Sequence, residues 1–167
     1  MFITIDQFKK YWKQETANTS KIFAALTDES LSQSVNKDHR TLGRMAWHIT
    51  GVIPDMMNLT NLEIEGPTEK TPIPSSADEI LKAYEANSAA LLEQVASKWS
   101  DDVLQVTDEM YGETWARAKT LFVLIIHEIH HRAQMLVLMR QAGLVVPGIY
   151  GPAKEEWKKY GMEEPAV

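Results

Sequence analysis

The sequence contains no cysteine. That absence removes disulfide scaffolds, thiolate metal sites, thiol nucleophiles and iron–sulfur clusters together. A transition metal bound here must be held by imidazole nitrogen and by oxygen. Long apolar runs are missing too: the longest, Leu121 to Ile126, falls well short of the roughly 20 residues of a membrane helix. The N-terminus, MFITIDQFKKYWKQE, lacks the basic start and apolar stretch of a signal peptide, so a cytoplasmic protein is expected. Positive charge is scarce and scattered, with 17 Lys and Arg against 23 Asp and Glu and a net charge of −6. Without a basic stripe, neither nucleic acid nor a membrane surface is expected as a partner. What remains is 167 residues, 44% of them apolar and 24% charged. This composition fits one globular domain over 1–167, able to bury a core unaided.

Helical periodicity marks four stretches, separated by clusters of Pro, Gly, Asp and Ser. The first spans about Ile5 to Leu26, with Phe8, Tyr11, Trp12, Thr19, Ile22, Phe23 and Leu26 recurring at three and four spacing. The second spans about Leu42 to Asn61 on a stripe of Met45, Ile49, Val52, Met56 and Leu59, and Pro54 should kink it. The three prolines of EGPTEKTPIPSS read as a long crossover loop. Ser76 with Glu79 forms a capping pattern for a third helix to about Trp99. Residues 100–114 read as a loop, in which VLQV could form a short strand and MYG a turn. Thr114 can cap a fourth helix from Trp115 to about Ala142, ended by Gly143, and PAKEEWKKYG allows a short terminal helix. The expected fold is all-α, a four-helix bundle with one long crossover loop.

Three of the five histidines fall in one segment, LFVLIIHEIHHRAQMLVLM. His127 and His131 are four apart, so a helix projects both from one face, shared with Leu124, Gln134 and Leu138. His48, in phase with Met45, Val52 and Leu59, faces the interior from the second helix. Three inward imidazoles need partners that these stripes do not offer, and a divalent metal between His48, His127 and His131 satisfies all three. His130 is about 60° off that face on ideal helix geometry and reads as a supporting or surface residue. His39, in the polar NKDHR segment, reads as solvated. Three protein ligands leave an open coordination position, the hallmark of catalytic rather than structural sites. Asp55, seven residues after His48, is the candidate proton acceptor, with Gln134 and Tyr111 as further lining candidates. The metal itself stays open among zinc, nickel and iron.

RTLGRMAWHI around His48, HEIHHRAQM around His127 and His131, and the trailing LMRQAGLVVPGIYGP together resemble the DinB-like family of damage-inducible proteins over nearly the whole chain. The resemblance implies an up-down-down-up bundle, usually a homodimer. It also implies a divalent metal on one histidine of the second helix and an H-x-x-x-H pair of the fourth, which match His48, His127 and His131. Related proteins include transferases and isomerases that use low-molecular-weight thiols such as bacillithiol or mycothiol. A metal-dependent thiol S-transferase or hydrolase is the implied activity, with a non-catalytic metal- or small-molecule-binding bundle as the alternative. A second apolar stripe, Phe122, Ile126, Ile129, Ala133 and Val137, is the expected dimer face of the fourth helix.

The same segment matches the zincin pattern H-E-x-x-H, with Glu128 as general base. That reading fits less well. It leaves His48 unexplained, lacks an evident substrate-binding edge strand, and places Glu128 beside Arg132, its i+4 neighbour.

Overall fold

The computed structural model describes residues 1–164 and residue 166. Among them, four long helices dominate: α1 (Ile5–Ala24), α2 (Leu42–Met57), α3 (Ala77–Lys98) and α4 (Arg117–Gln141). A two-stranded hairpin, β1 (Thr107–Met110) and β2 (Glu113–Ala116), precedes α4. α1 packs on α3 and α4, and α2 packs on the same two.

Local chemistry sets the ends of these helices. Thr4, Thr41 and Ser76 sit in extended conformation, and each side-chain oxygen accepts a backbone N–H three residues on. α1 buries Phe8, Trp12, Ile22 and Phe23, and the Trp12 indole donates to the Ser88 carbonyl at 3.1 Å. α2 is buried almost all round, which makes it the central helix. Pro54 lies in its last turn and cannot donate to the Thr50 carbonyl. The Asn87 side chain on α3 donates there instead, at 2.9 Å, so the bond lost to proline becomes an interhelical one. α4 is long and apolar enough to cross a bilayer by length and composition. Here its buried face packs on α1 and α2 and carries Glu128 and Arg132.

Several expectations need correcting. α2 stops at Met57, and a 3-10 turn at Asn58–Thr60 rotates Leu59 into solvent, 46% exposed. Residues 100–114 are no plain loop. Val103 and Leu104 lie in a 3-10 turn, and the hairpin follows, pinned by the fully buried Met110. The hairpin turns at Tyr111 and Gly112, both left-handed with φ of 55° and 84°, as a two-residue turn between twisted strands requires. Thr114 therefore sits in β2 and caps nothing: its hydroxyl donates to Glu109, and α4 begins only at Arg117. That start is fixed by a bidentate Arg117–Asp108 pair at 2.8 and 3.0 Å, with the guanidinium over the Trp99 ring. The terminal helix is a 3-10 segment, Lys154–Tyr160.

A candidate metal centre

His48 reaches inward from α2, and His127 and His131 from α4. The His127 Nε2 lies 3.2 Å from the His48 Nε2 and 3.1 Å from the His131 Nε2. All three ligand atoms fall within 4.8 Å of one another, so the group could hold a metal ion. Two nitrogens bound at about 2.0–2.1 Å to one tetrahedral ion lie about 3.3 Å apart, so the spacing fits. Three ring nitrogens pointed at one spot cannot satisfy each other as neutral donors and acceptors. A shared cation resolves that conflict.

The outer nitrogens fix which way the lone pairs point. The His48 Nδ1–H donates to the Glu69 carboxylate, and the His131 Nδ1–H donates to Gln134 Oε1 at 2.8 Å. In both rings the Nε2 is thereby left as the lone-pair atom facing the cluster. The His127 Nδ1 is buried and has no partner among the described residues. Burial, reinforced by His131, His48, His130 and Arg40, holds the protonation of His127 down at about 4. His131 is lowered too, chiefly by burial, while Gln134 pulls the other way. Both rings are therefore neutral, and ready to ligate, at physiological pH.

Glu69 belongs to the crossover loop, and nothing in its sequence neighbourhood marks it. Its backbone N–H donates to Asp55 Oδ2 at 2.9 Å, and the Trp47 indole donates to the Thr71 carbonyl at 2.8 Å. These contacts lay the loop across α2 at Gly51, where an added Cβ would come within 2.5 Å of the Glu69 nitrogen. A glycine inside an otherwise apolar helical stripe is the signal that could have revealed this close approach. Asp55 thus positions the loop that orients His48.

The cluster lies between two cavities. One, of about 500 Å³, is lined by His48, His127, Asp55, Glu69, Tyr111 and Trp115. Of the expected lining residues, Tyr111 is therefore placed here, at the hairpin tip. The other, of about 430 Å³, has His131, Gln134 and Val137 on α4 facing Val35, Arg40 and Met45. His130 is exposed, its Nε2 3.1 Å from the Gln134 amide nitrogen, and lies outside the cluster. His39 is exposed and bonds to Asn36 at 2.6 Å.

His127 and His131 do not lie on the core face of α4, contrary to the stripe read from sequence. They are half-buried at its edge, while Leu121, Leu124, Glu128, Arg132 and Met135 point inward. The Glu128–Arg132 pair lies inside the fold. Glu128 is fully enclosed and accepts hydrogen bonds from Thr19 at 2.6 Å and Tyr84 at 2.7 Å, with Arg132 at 3.9 Å. Burial raises its pKa against those hydrogen bonds. Arg132 is held by Glu15 at 2.5 Å and by the Tyr150 hydroxyl at 2.7 Å, and that hydroxyl donates in turn to Glu15. A carboxyl so enclosed, turned away from the histidines, cannot act as the general base of a zincin.

The profile of the DinB family matches residues 1–165. The uncharacterised protein YrdA of Bacillus subtilis strain 168 is 46% identical over 167 residues, the full length of both chains. The crystal structure of a DinB-like protein from Bacillus cereus ATCC 10987 superposes with a TM-score of 0.87 at 45% identity, covering 90% of this chain and all of that one. A second DinB-like protein, from Bacillus subtilis, superposes with a TM-score of 0.68 at 17% identity over 86% of this chain and 96% of its own, a likeness of fold alone. With matches along nearly its whole length, the chain belongs to the DinB family.

Proposed function

We propose that this protein is a metal-dependent enzyme of the thiol S-transferase or hydrolase kind, with His48, His127 and His131 as metal ligands. The observation that carries the reading is the convergence of three Nε2 atoms, two of them on rings whose outer nitrogen is already engaged. A bound zinc, nickel or iron would supply Lewis acidity at an open coordination position. This chain's residues do the rest. Glu69 and Gln134 fix the tautomers of His48 and His131. Asp55, in the same cavity as His48 and His127, offers a carboxylate to take the proton of a thiol or water.

The four long helices are read as an up-down-down-up bundle over a single domain, in line with the closed ring of contacts α1–α3–α2–α4. A homodimer through α4 goes with this reading. Phe122 and Ile126 are 39% and 44% exposed on the side of α4 away from its buried face. Val137 lies apart from them, in the cavity beside His131. A reduced thiol cosubstrate suits a cytoplasmic setting.

Tag-free protein analysed for metal, then assayed with bacillithiol or mycothiol against a panel of electrophiles with and without chelator, tests the proposal. Expected are about one metal per chain and chelator-sensitive turnover. Metal-free protein that resists loading would overturn the site, and loaded protein inert throughout the panel would leave a binding module.

A further inference from the structure

The chain has five arginines, and four of them are paired with carboxylates. Arg44 faces Glu69, Arg117 faces Asp108, Arg132 faces Glu15 and Arg140 faces Glu155. Among the described residues, Arg40 alone has no such partner. It stands on the wall of the 430 Å³ cavity that ends on His131. The rest of that wall is mainly aliphatic or thioether, from Val35, Met45, Val137 and Leu138, and no carboxylate lines it. The cavity on the other side of the cluster carries both signs of charge, with Asp55, Glu69 and Lys70 in its lining.

A guanidinium presents a fixed fork of donors that matches a carboxylate in two parallel hydrogen bonds. Placed beside an apolar wall, it recognises an anion attached to a hydrocarbon body. We infer that this cavity binds a small apolar carboxylate, its anionic group on Arg40 and its far end directed at the metal centre beside His131. The inference rests on the proposed metal site and deepens it by naming the class of the second substrate. A volume of about 430 Å³ falls within the ordinary range for small-molecule pockets.

Octanoate and its neutral counterpart octanamide serve as probes on zinc-loaded and cobalt-loaded full-length protein. Titration calorimetry should show octanoate binding the wild type at least tenfold more tightly than octanamide. Arg40→Gln should erase that preference while leaving octanamide binding and zinc stoichiometry unchanged. On cobalt-loaded protein, the octanoate terminal methyl resonance should broaden more than that of the methylene next to the carboxylate. Equal affinity of Arg40→Gln and wild type for octanoate overturns the assignment. So does broadening greatest beside the carboxylate, which would mean the acid ligates the metal directly. Zinc retained without any Arg40-dependent binding removes the cavity assignment alone. Wild type that binds no zinc removes the metal site, and with it the reason for a reactant to lie there.

Discussion

α4 carries two polar pairs at the same spacing, one residue out of step: His127 with His131, and Glu128 with Arg132. Rotation by about 100° along one residue separates their fates. The inner pair is wrapped by Glu15, Thr19, Tyr84 and Tyr150, so almost every donor finds an acceptor within the protein. The outer pair meets His48, another base, and lies against cavities rather than packed side chains. A satisfied buried network fixes helices in place. A cluster of like bases facing open space is short of a positive charge, and that shortage is what a binding site looks like before its ligand. The contrast teaches that spacing places chemistry on a face, and the neighbours of that face decide whether it is structural or reactive.

The sharpest way to break the comparison is metal content. His127→Ala and His131→Ala should each lower bound metal to background by plasma mass spectrometry, with His130→Ala and His39→Ala unchanged. Full stoichiometry in His131→Ala would show that the outer pair is no site at all. Arg132→Ala should do the reverse, costing about 3–5 kcal/mol in urea unfolding because it strands a buried carboxylate. A cost below about 1 kcal/mol, the level of an exposed pair, would mean that water reaches the inner network.

Glu69→Gln sharpens the boundary between the two. It keeps the size of the side chain but weakens the hold on His48, so zinc affinity should fall about 10–100-fold in competition with a chelating dye. An unchanged affinity would make the loop contact incidental. Acid should also separate the pairs. His127 protonates near 4 in the folded protein against an ordinary 6.5, so between those values the unfolded chain binds the extra proton. Stability of the metal-free protein should therefore be full above about pH 6.5 and decline as the pH falls toward 4. Thermal melts across that window should show a shallower decline in His127→Ala. The smallest effect is expected from Glu128→Gln. Burial already favours the uncharged acid, so the loss should stay within about 1 kcal/mol. A loss of about 3 kcal/mol or more would reveal an ionised carboxylate bound to Arg132.

The histidines were legible in the sequence because imidazoles on an apolar stripe are conspicuous, and His48 kept the same phase seventy-nine residues away. The core side of α4 was not legible. Phe122 and Ile126 are as apolar as Leu121 and Ile125, so periodicity could not tell the exposed side from the buried one. Glu128 and Arg132 could be read as an i+4 pair, but not as a buried one. The MYG turn was legible, but the strands on either side escaped because they have four residues each and point mainly polar side chains outward, leaving Met110 as the one fully buried anchor. Glu69 escaped for a different reason: its role exists only once a loop crosses α2, and Gly51 marks where that crossing falls but not which loop residue arrives there.

That crossing has a kinetic side. At Gly51 the loop lies against the helix in a gap too small for a methyl group, and the Glu69 amide there is bonded to the Asp55 side chain of α2 rather than to a backbone carbonyl. Its hydrogen exchanges with solvent only when the loop lifts, whether or not the helices open. A metal on the His48 Nε2 would polarise the ring, strengthen its Nδ1–H bond to Glu69, slow that lifting and leave the helical amides as they were. Deuterium uptake at this one amide would therefore time the breathing of the metal's outer support.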